Sequence, residues 1–163
     1  MTEVRHFTAT GFVVHNGCVL LHWHKKVKAW LPPGGHIDEN EDPVEATIRE
    51  VMEETGLSVE VVIDENVIPL SYPVQIPVPA TIMIEDIEDP VEGPHQHIDM
   101  IYFCRLIGPS VTLDHSWVWV SEEILESASS IFSHDGREFP VVPPPEDVQV
   151  LGLRAIRHVE QLS

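Results

Sequence analysis

The tightest constraint in this chain of 163 residues is a helix whose two ends are both set by residue type. Asp42 is a good N-cap, Pro43 fits the first helical position, and Glu45 completes a capping box with Asp42. Gly56 is placed to stop the helix in a left-handed cap. Between these ends, Val44, Ile48, Val51, Met52 and Thr55 fall on one stripe at about 100° per residue, and that stripe is predicted to face a core. Glu50, Glu53 and Glu54 fall on the opposite face, where like charges three and four residues apart repel by roughly a few tenths of a kcal/mol per pair. A solvated acidic face is the ordinary explanation of such a cluster. Arg49 at its edge and the Gly34-Gly35 turn ahead of the helix favour a different one. Clustered carboxylates and a backbone carbonyl are the ligands that hard divalent cations such as Mg²⁺ or Mn²⁺ require.

Gly35, Glu41, Arg49-Glu50-Val51, Glu53-Glu54 and Gly56-Leu57 stand at the spacing of the Nudix box, and on these residues the chain resembles the Nudix hydrolase family. The resemblance implies an α/β fold, an α/β/α sandwich around a mixed β-sheet. It implies hydrolysis of a diphosphate linkage in a nucleoside diphosphate derivative (a nucleotide sugar, an ADP-ribose-like compound or a nucleoside triphosphate), by water attack on phosphorus with Mg²⁺ or Mn²⁺. Carried over by position, Gly35 (through its carbonyl), Glu50, Glu53 and Glu54 correspond to metal ligands. Glu53, Glu50 and Arg49 correspond to catalytic positions, with Arg49 orienting a carboxylate through a charge-assisted hydrogen bond. Glu41 corresponds either to a supporting residue or to an occasional ligand. The general base differs between members: a box glutamate, here Glu50 or Glu53, or a group from a later loop, where Glu85, Asp86, Glu88, Asp89 and Glu92 stand as candidates. Pro73, about sixteen residues past the box, leans toward ADP-ribose by the same resemblance. A silent, nucleotide-sensing Nudix domain is the alternative, but such domains typically lose box glutamates that this chain retains. A Nudix-fold isomerase needs a reactive cysteine at the site, whereas Cys18 and Cys104 both lie in apolar strand-like runs.

The formal net charge of −18 disfavours DNA, RNA and anionic membranes as partners, since binding to them rests on cationic contacts to phosphate. The expected partner is a small nucleotide substrate, and a homodimer is left open. An anionic substrate must then be met by metal ions or by a local basic patch. All the lysines, Lys25, Lys26 and Lys28, lie just upstream of the glycine turn and are candidate substrate contacts, although a solvated charged loop accounts for them equally well. His95, His97 and Asp99 would share one face of a later strand, with His97 and Asp99 as substrate-facing groups and the triplet as a less favoured second metal site. No apolar run reaches the ~20 residues of a membrane helix and MTEVRHF carries no signal-peptide pattern, so a cytoplasmic protein is expected. Cys18 and Cys104 are expected to be buried free thiols.

The chain reads as a single domain over residues 1–163. Residues 6–15 and 18–23 are predicted as a hairpin closed by Asn16-Gly17, a pair that favours a two-residue type I′ turn. Further strands are predicted at 30–31, 58–63, 81–84, 97–106, 111–113 and 117–120. Residues 85–93 read as an acidic loop, and helices are expected after Ser121 and from Glu146 to the end. Trp23, Trp30 and Phe132 are candidates to stack on a base.

Overall fold

Strand β1 (Arg5–His15) carries Ala9, Phe12, Val13 and Val14 in full burial, so both of its faces are apolar and it must lie inside the sheet. In the computed structural model, which describes residues 4–63, 68, 70–91, 93–109, 112–131 and 140–162, it does. On one side β1 runs parallel to β7 (Gly93–Leu106), from Arg5 opposite Gln96 to Val14 opposite Arg105. On its other side the partner changes along its length. Near Thr8–Thr10 it pairs with the short β4 (Gly34–His36), and at Val14–His15 with β2 (Cys18–His24). Asn16 and Gly17 have φ of 48° and 70°, the paired positive values of the predicted turn.

Beyond β2 lie β3 (Ala29–Leu31) and β8 (Trp117–Ser121). The outer edge of β7 is shared by β5 (Val59–Val61) and β6 (Thr81–Asp89), both antiparallel to it. Helix α1 (Pro43–Thr55) covers one face of this mixed sheet with Val51 beside Val13, Leu20 and Tyr102. Helices α2 (Glu122–Glu126) and α3 (Glu146–Gln161) cover the other, where Leu125, Leu151 and Ile156 pack with Phe12, Leu21 and Phe103. The architecture is the expected α/β one. Cys18 and Cys104 are free thiols, and burial pushes that of Cys104 up to about 12. Among the described residues no helix is long and apolar enough to cross a membrane.

Several expectations are corrected. The buried face of α1 is Ala46, Thr47, Val51 and Thr55, while Ile48 and Met52 of the predicted stripe are 36% and 42% exposed. The cause is Gly11 of β1: with no side chain there, the helix seats small and β-branched residues directly on the sheet. The acidic segment is not a loop. β6 continues through Glu85 to Asp89 and pairs with β7 residue by residue as far as Asp89 opposite Gly93. Trp30 is fully buried, and its indole N–H donates to the carbonyl of Val142 at 3.2 Å, so it is core and not a platform for a base. No strand forms at Thr112–Leu113, and Ser121 begins α2 without a side-chain cap bond. Glu92, Val111 and Phe132 lie outside the described residues.

A Cβ added to Gly11 would lie 2.9 Å from Thr47 Cγ2 and 3.1 Å from Val51 Cγ2. Gly11→Ala is therefore expected to lower the stability of the fold by about 1–3 kcal/mol through overpacking, read from the midpoint of urea denaturation at unchanged slope.

Candidate active site

The first turn of α1 is fixed by Asp42, whose carboxylate accepts from the backbone N–H of Val44 at 2.8 Å and of Glu45 at 3.0 Å. Glu45 returns the bond to the N–H of Asp42 at 3.0 Å. Gly56 ends the helix at φ 73°. With both ends pinned, the acidic face cannot rotate, and Arg49 gathers it. Its guanidinium donates to both oxygens of Glu41 at 2.8 and 2.9 Å, to Glu50 at 2.7 Å, to Glu53 at 3.4 Å, and to the carbonyl of His36 at 2.9 Å. The hydrogen bonds from Arg49 hold Glu41 below the usual carboxylate range. Arg49 thus orients three carboxylates, more than the one the sequence suggests.

Glu50 packs directly on the backbone of Gly35. A Cβ at Gly35 would sit 2.5 Å from a Glu50 carboxylate oxygen, so any larger residue there would push the Glu50 carboxylate aside. Glu54, one helical turn on, accepts a hydrogen bond from the backbone of Gly34. Glu54 is exposed as a residue, yet desolvation of its carboxyl, then the charges of Glu50 and Glu53, push that group up to about 7. Glu53 points outward, with its side chain 62% exposed. The donors around the glycine pair are all oxygen, which suits a hard divalent cation and fits no soft metal well.

Gly34, Gly35 and Glu54 form one wall of a cavity of about 880 Å³ that also involves Thr8, Thr10, Glu85, His97, Asp99, Asp147 and, from the lysine loop, Lys26. Asp99, 5% exposed, accepts from the hydroxyls of Thr8 at 2.9 Å and Thr10 at 2.8 Å. Burial nonetheless raises its carboxyl above the usual value. Glu85 is half-buried and pushed up to about 7 by desolvation, then by the charges of Asp99 and Asp147.

The structure therefore brings Gly35, Glu50 and Glu54 together beside the cavity, holds Glu53 at its outer margin through Arg49, and sets His97, Asp99 and Lys26 around it. Lys25 and Lys28 are exposed and are not part of the lining. Pro73 is exposed and outside the lining too, which leaves the lean toward ADP-ribose without support. The suggested His95–His97–Asp99 triplet is regrouped: Asp99 is bound by the two threonines, and His95 and His97 meet His6 from β1. Glu85, Asp86, Glu88 and Asp89 all line the cavity, and what marks Glu85 is its desolvation beside the charges of Asp99 and Asp147, which the reading of that segment as a loop hid.

A model of the NUDIX domain matches residues 5–139. A NUDIX-family hydrolase from Clostridium perfringens is 32% identical, with 95% of this chain and 98% of that one covered at a TM-score of 0.72. The chain belongs to the Nudix family. Membership makes it an enzyme, a Nudix pyrophosphohydrolase, and members of this family generally use a divalent metal. The Nudix fold recurs at lower identity. A MutT protein from Methanosarcina mazei Go1 is 17% identical at a TM-score of 0.57, covering 98% of this chain and 99% of that one. An ADP-ribose pyrophosphatase from Streptococcus suis 89-1591 is 19% identical at 0.51, covering 93% and 92%. No curated protein matches this chain.

The raised carboxyl of Glu85 has a definite sign in stability. The folded state keeps this proton up to about pH 7, whereas the unfolded chain releases it near the ordinary glutamate value of 4.5. Its contribution is complete below about pH 4.5 and is lost as pH rises through 7. In chelator, Glu85→Gln is expected to match the parent in urea unfolding at pH 5 and to exceed it progressively toward pH 8.

Proposed function

We propose that this Nudix enzyme cleaves a diphosphate linkage in a nucleoside diphosphate derivative, using Mg²⁺ or Mn²⁺ held by Glu50, Glu53, Glu54 and the carbonyl of Gly35. The observation that carries the reading is the all-oxygen group on one pinned helix face, opening beside a glycine pair into a cavity of about 880 Å³. That volume is in the range of small-molecule sites. The cation, when bound, neutralises charge on the phosphate oxygens. Arg49 positions Glu41, Glu50 and Glu53, and its own contacts leave it no role on the substrate. Glu85 accepts the proton of the attacking water. Its carboxyl at about 7 is near the optimum for a base at neutral pH, and it lines the same cavity as Glu54. Lys26 meets a phosphate at the cavity mouth. The retained box glutamates weigh against the sensing alternative, which predicts binding of a nucleotide without product.

Incubation with Mg²⁺ and a panel of nucleoside diphosphate derivatives, with products identified by mass, is expected to yield two phosphate-terminated fragments, and EDTA is expected to stop the reaction. Glu53→Gln and Glu54→Gln should each lower turnover by ~10²-fold or more. Near-normal turnover in both removes α1 from the chemistry. Glu85→Gln should lower kcat by ~10²–10⁴-fold with little change in Mg²⁺ affinity, and should abolish the acid limb of the rate profile near pH 7. A retained limb assigns the proton to another group.

Metal removal separates charge from structure in the same helix. In EDTA, Glu53→Gln should melt at the same temperature as the parent or higher, since it relieves repulsion and gives up only a long contact of 3.4 Å to Arg49. In excess Mg²⁺ the parent should melt higher, because a cation that binds only the folded state stabilises it by RT ln(1 + [L]/Kd). For the lysine loop, Lys26→Gln should raise KM and flatten its salt dependence, while Lys25→Gln should change neither, because screening acts only on a charge that meets the substrate.

A further inference from the structure

We propose that His6, His95 and His97 form a binding site for a borderline-soft divalent cation of the Zn²⁺ class, separate from the carboxylate group on α1. The parallel pairing of β1 with β7 sets His6 opposite His97, and His95 lies two residues earlier on the same face of β7. One potential ligand nitrogen from each of the three rings lies within 4.8 Å of the others. His95 Nε2 and His97 Nε2 are 3.2 Å apart. Tetrahedral zinc, with Zn–N of 2.0–2.1 Å, places its nitrogens about 3.3–3.4 Å from one another. The spacing is that of a ligand pair.

The protonation of His95 is set by its surroundings. Its Nδ1 is 2.9 Å from the carbonyl oxygen of Gly93, and a carbonyl only accepts, so Nδ1 carries the proton. The lone pair of Nε2 then faces His97. Metal-bound histidines are oriented in the same way, with one nitrogen donating to a fixed oxygen and the other turned toward the partner ligands. His95 is 6% exposed, so that orientation is held by packing. On the other side, His36 Nε2 is 3.1 Å from His6 Nδ1, and the His36 ring centre is 5.0 Å from that of His97, which puts a fourth imidazole at the edge of the group. Glu85 stands opposite His97 in the β6–β7 ladder and supplies negative charge to the neighbourhood of a dication. A set built from imidazoles favours Zn²⁺, Co²⁺ or Ni²⁺ over Mg²⁺, whereas the oxygen donors beside Gly35 favour the reverse. Neutral rings that share protons, with no ion, are the competing explanation of the same distances.

The test uses the untagged full chain, stripped with chelator, dialysed, and held in millimolar Mg²⁺ so that the carboxylate group is occupied. Zn²⁺ is titrated in competition with a chromogenic chelator, and Co²⁺ is added in parallel to record the visible spectrum of a tetrahedral site. The parent is expected to bind one Zn²⁺ per chain, to rise in melting temperature when it does, and to show the Co²⁺ band. His6→Gln and His97→Gln are each expected to weaken binding by roughly 10²-fold or more and to lose both signals, since changes even to groups behind the ligands cost 10–100-fold. His22→Gln and His24→Gln, at a second histidine pair, are expected to leave binding unchanged. The metal-free variants should melt close to the metal-free parent. If His97→Gln does not fold, the less buried half of the group is tested through His6→Gln. Absence of stoichiometric Zn²⁺ binding by the parent, or undiminished binding in His6→Gln and His97→Gln, overturns the site. Hydrolysis is not a readout here, so this result and the assignment of the α1 carboxylates stand or fall separately.

Discussion

One guanidinium holds the working surface of this protein together. The chain carries a formal charge of −18, and α1 sets three carboxylates on one face with Glu41 folded over them. Arg49 reaches Glu41, Glu50, Glu53 and the carbonyl of His36 from a single planar fork. Lysine, with three donors on a flexible stem, lacks the shape to do this. The bond to His36 ties α1 to the strand that carries Gly35, so the helix and the glycine backbone form one rigid unit. Glu54 is outside the reach of Arg49. Desolvation, then the charges of Glu50 and Glu53, push its carboxyl up to about 7.

The cavity beside this unit lies over the sheet face that carries Thr8 and Thr10 of β1, His97 and Asp99 of β7 and Glu85 of β6. β2 takes the far end of β1 and β4 its near end, and between them the ladder is continued only by the N–H of Gly11 donating to the carbonyl of Pro33 at 3.0 Å. Lys26 and Val27 of the lysine loop, the glycine pair and Asp147 of the first turn of α3 complete the lining of the cavity. The same central strand supplies Thr8 and Thr10 to Asp99 and His6 to the histidine group. The two clusters are thus successive steps along one pair of parallel strands.

What the sequence displayed was whatever depends on neighbours a few residues apart. The capped ends of α1, the Asn16-Gly17 turn and the box glutamates are all local, and all are where the residues put them. What it concealed depends on distant partners. The rotation of α1 follows from a missing side chain on β1, and no periodicity within 43–55 contains that information. Residues 85–89 are rich in acid and poor in strand formers, yet β7 supplies a complete ladder to pair with, and pairing outweighs propensity. His6 is far from His95 and His97 in the chain and becomes their neighbour only through a parallel register. The triplet visible in the sequence is divided in the fold: His95 and His97 lie beside His6, and Asp99 is bound by the two threonines.

Charge explains why so acidic a cavity is still suited to an anion. Glu54, Glu85, Asp99 and Asp147 surround it, and Lys26 is the one lysine on its lining. The surroundings push the carboxyls of Glu54 and Glu85 up to about 7, so near neutral pH part of the charge of the wall is discharged by protons. A diphosphate entering alone meets net repulsion at short range, where low dielectric magnifies it. On the proposed reading, a cation held by the α1 carboxylates would replace protons on the wall and offset its charge toward the phosphates. Affinity for substrate would then belong to the metal-loaded protein. The negative field that would repel free nucleotide also concentrates divalent cations at the site.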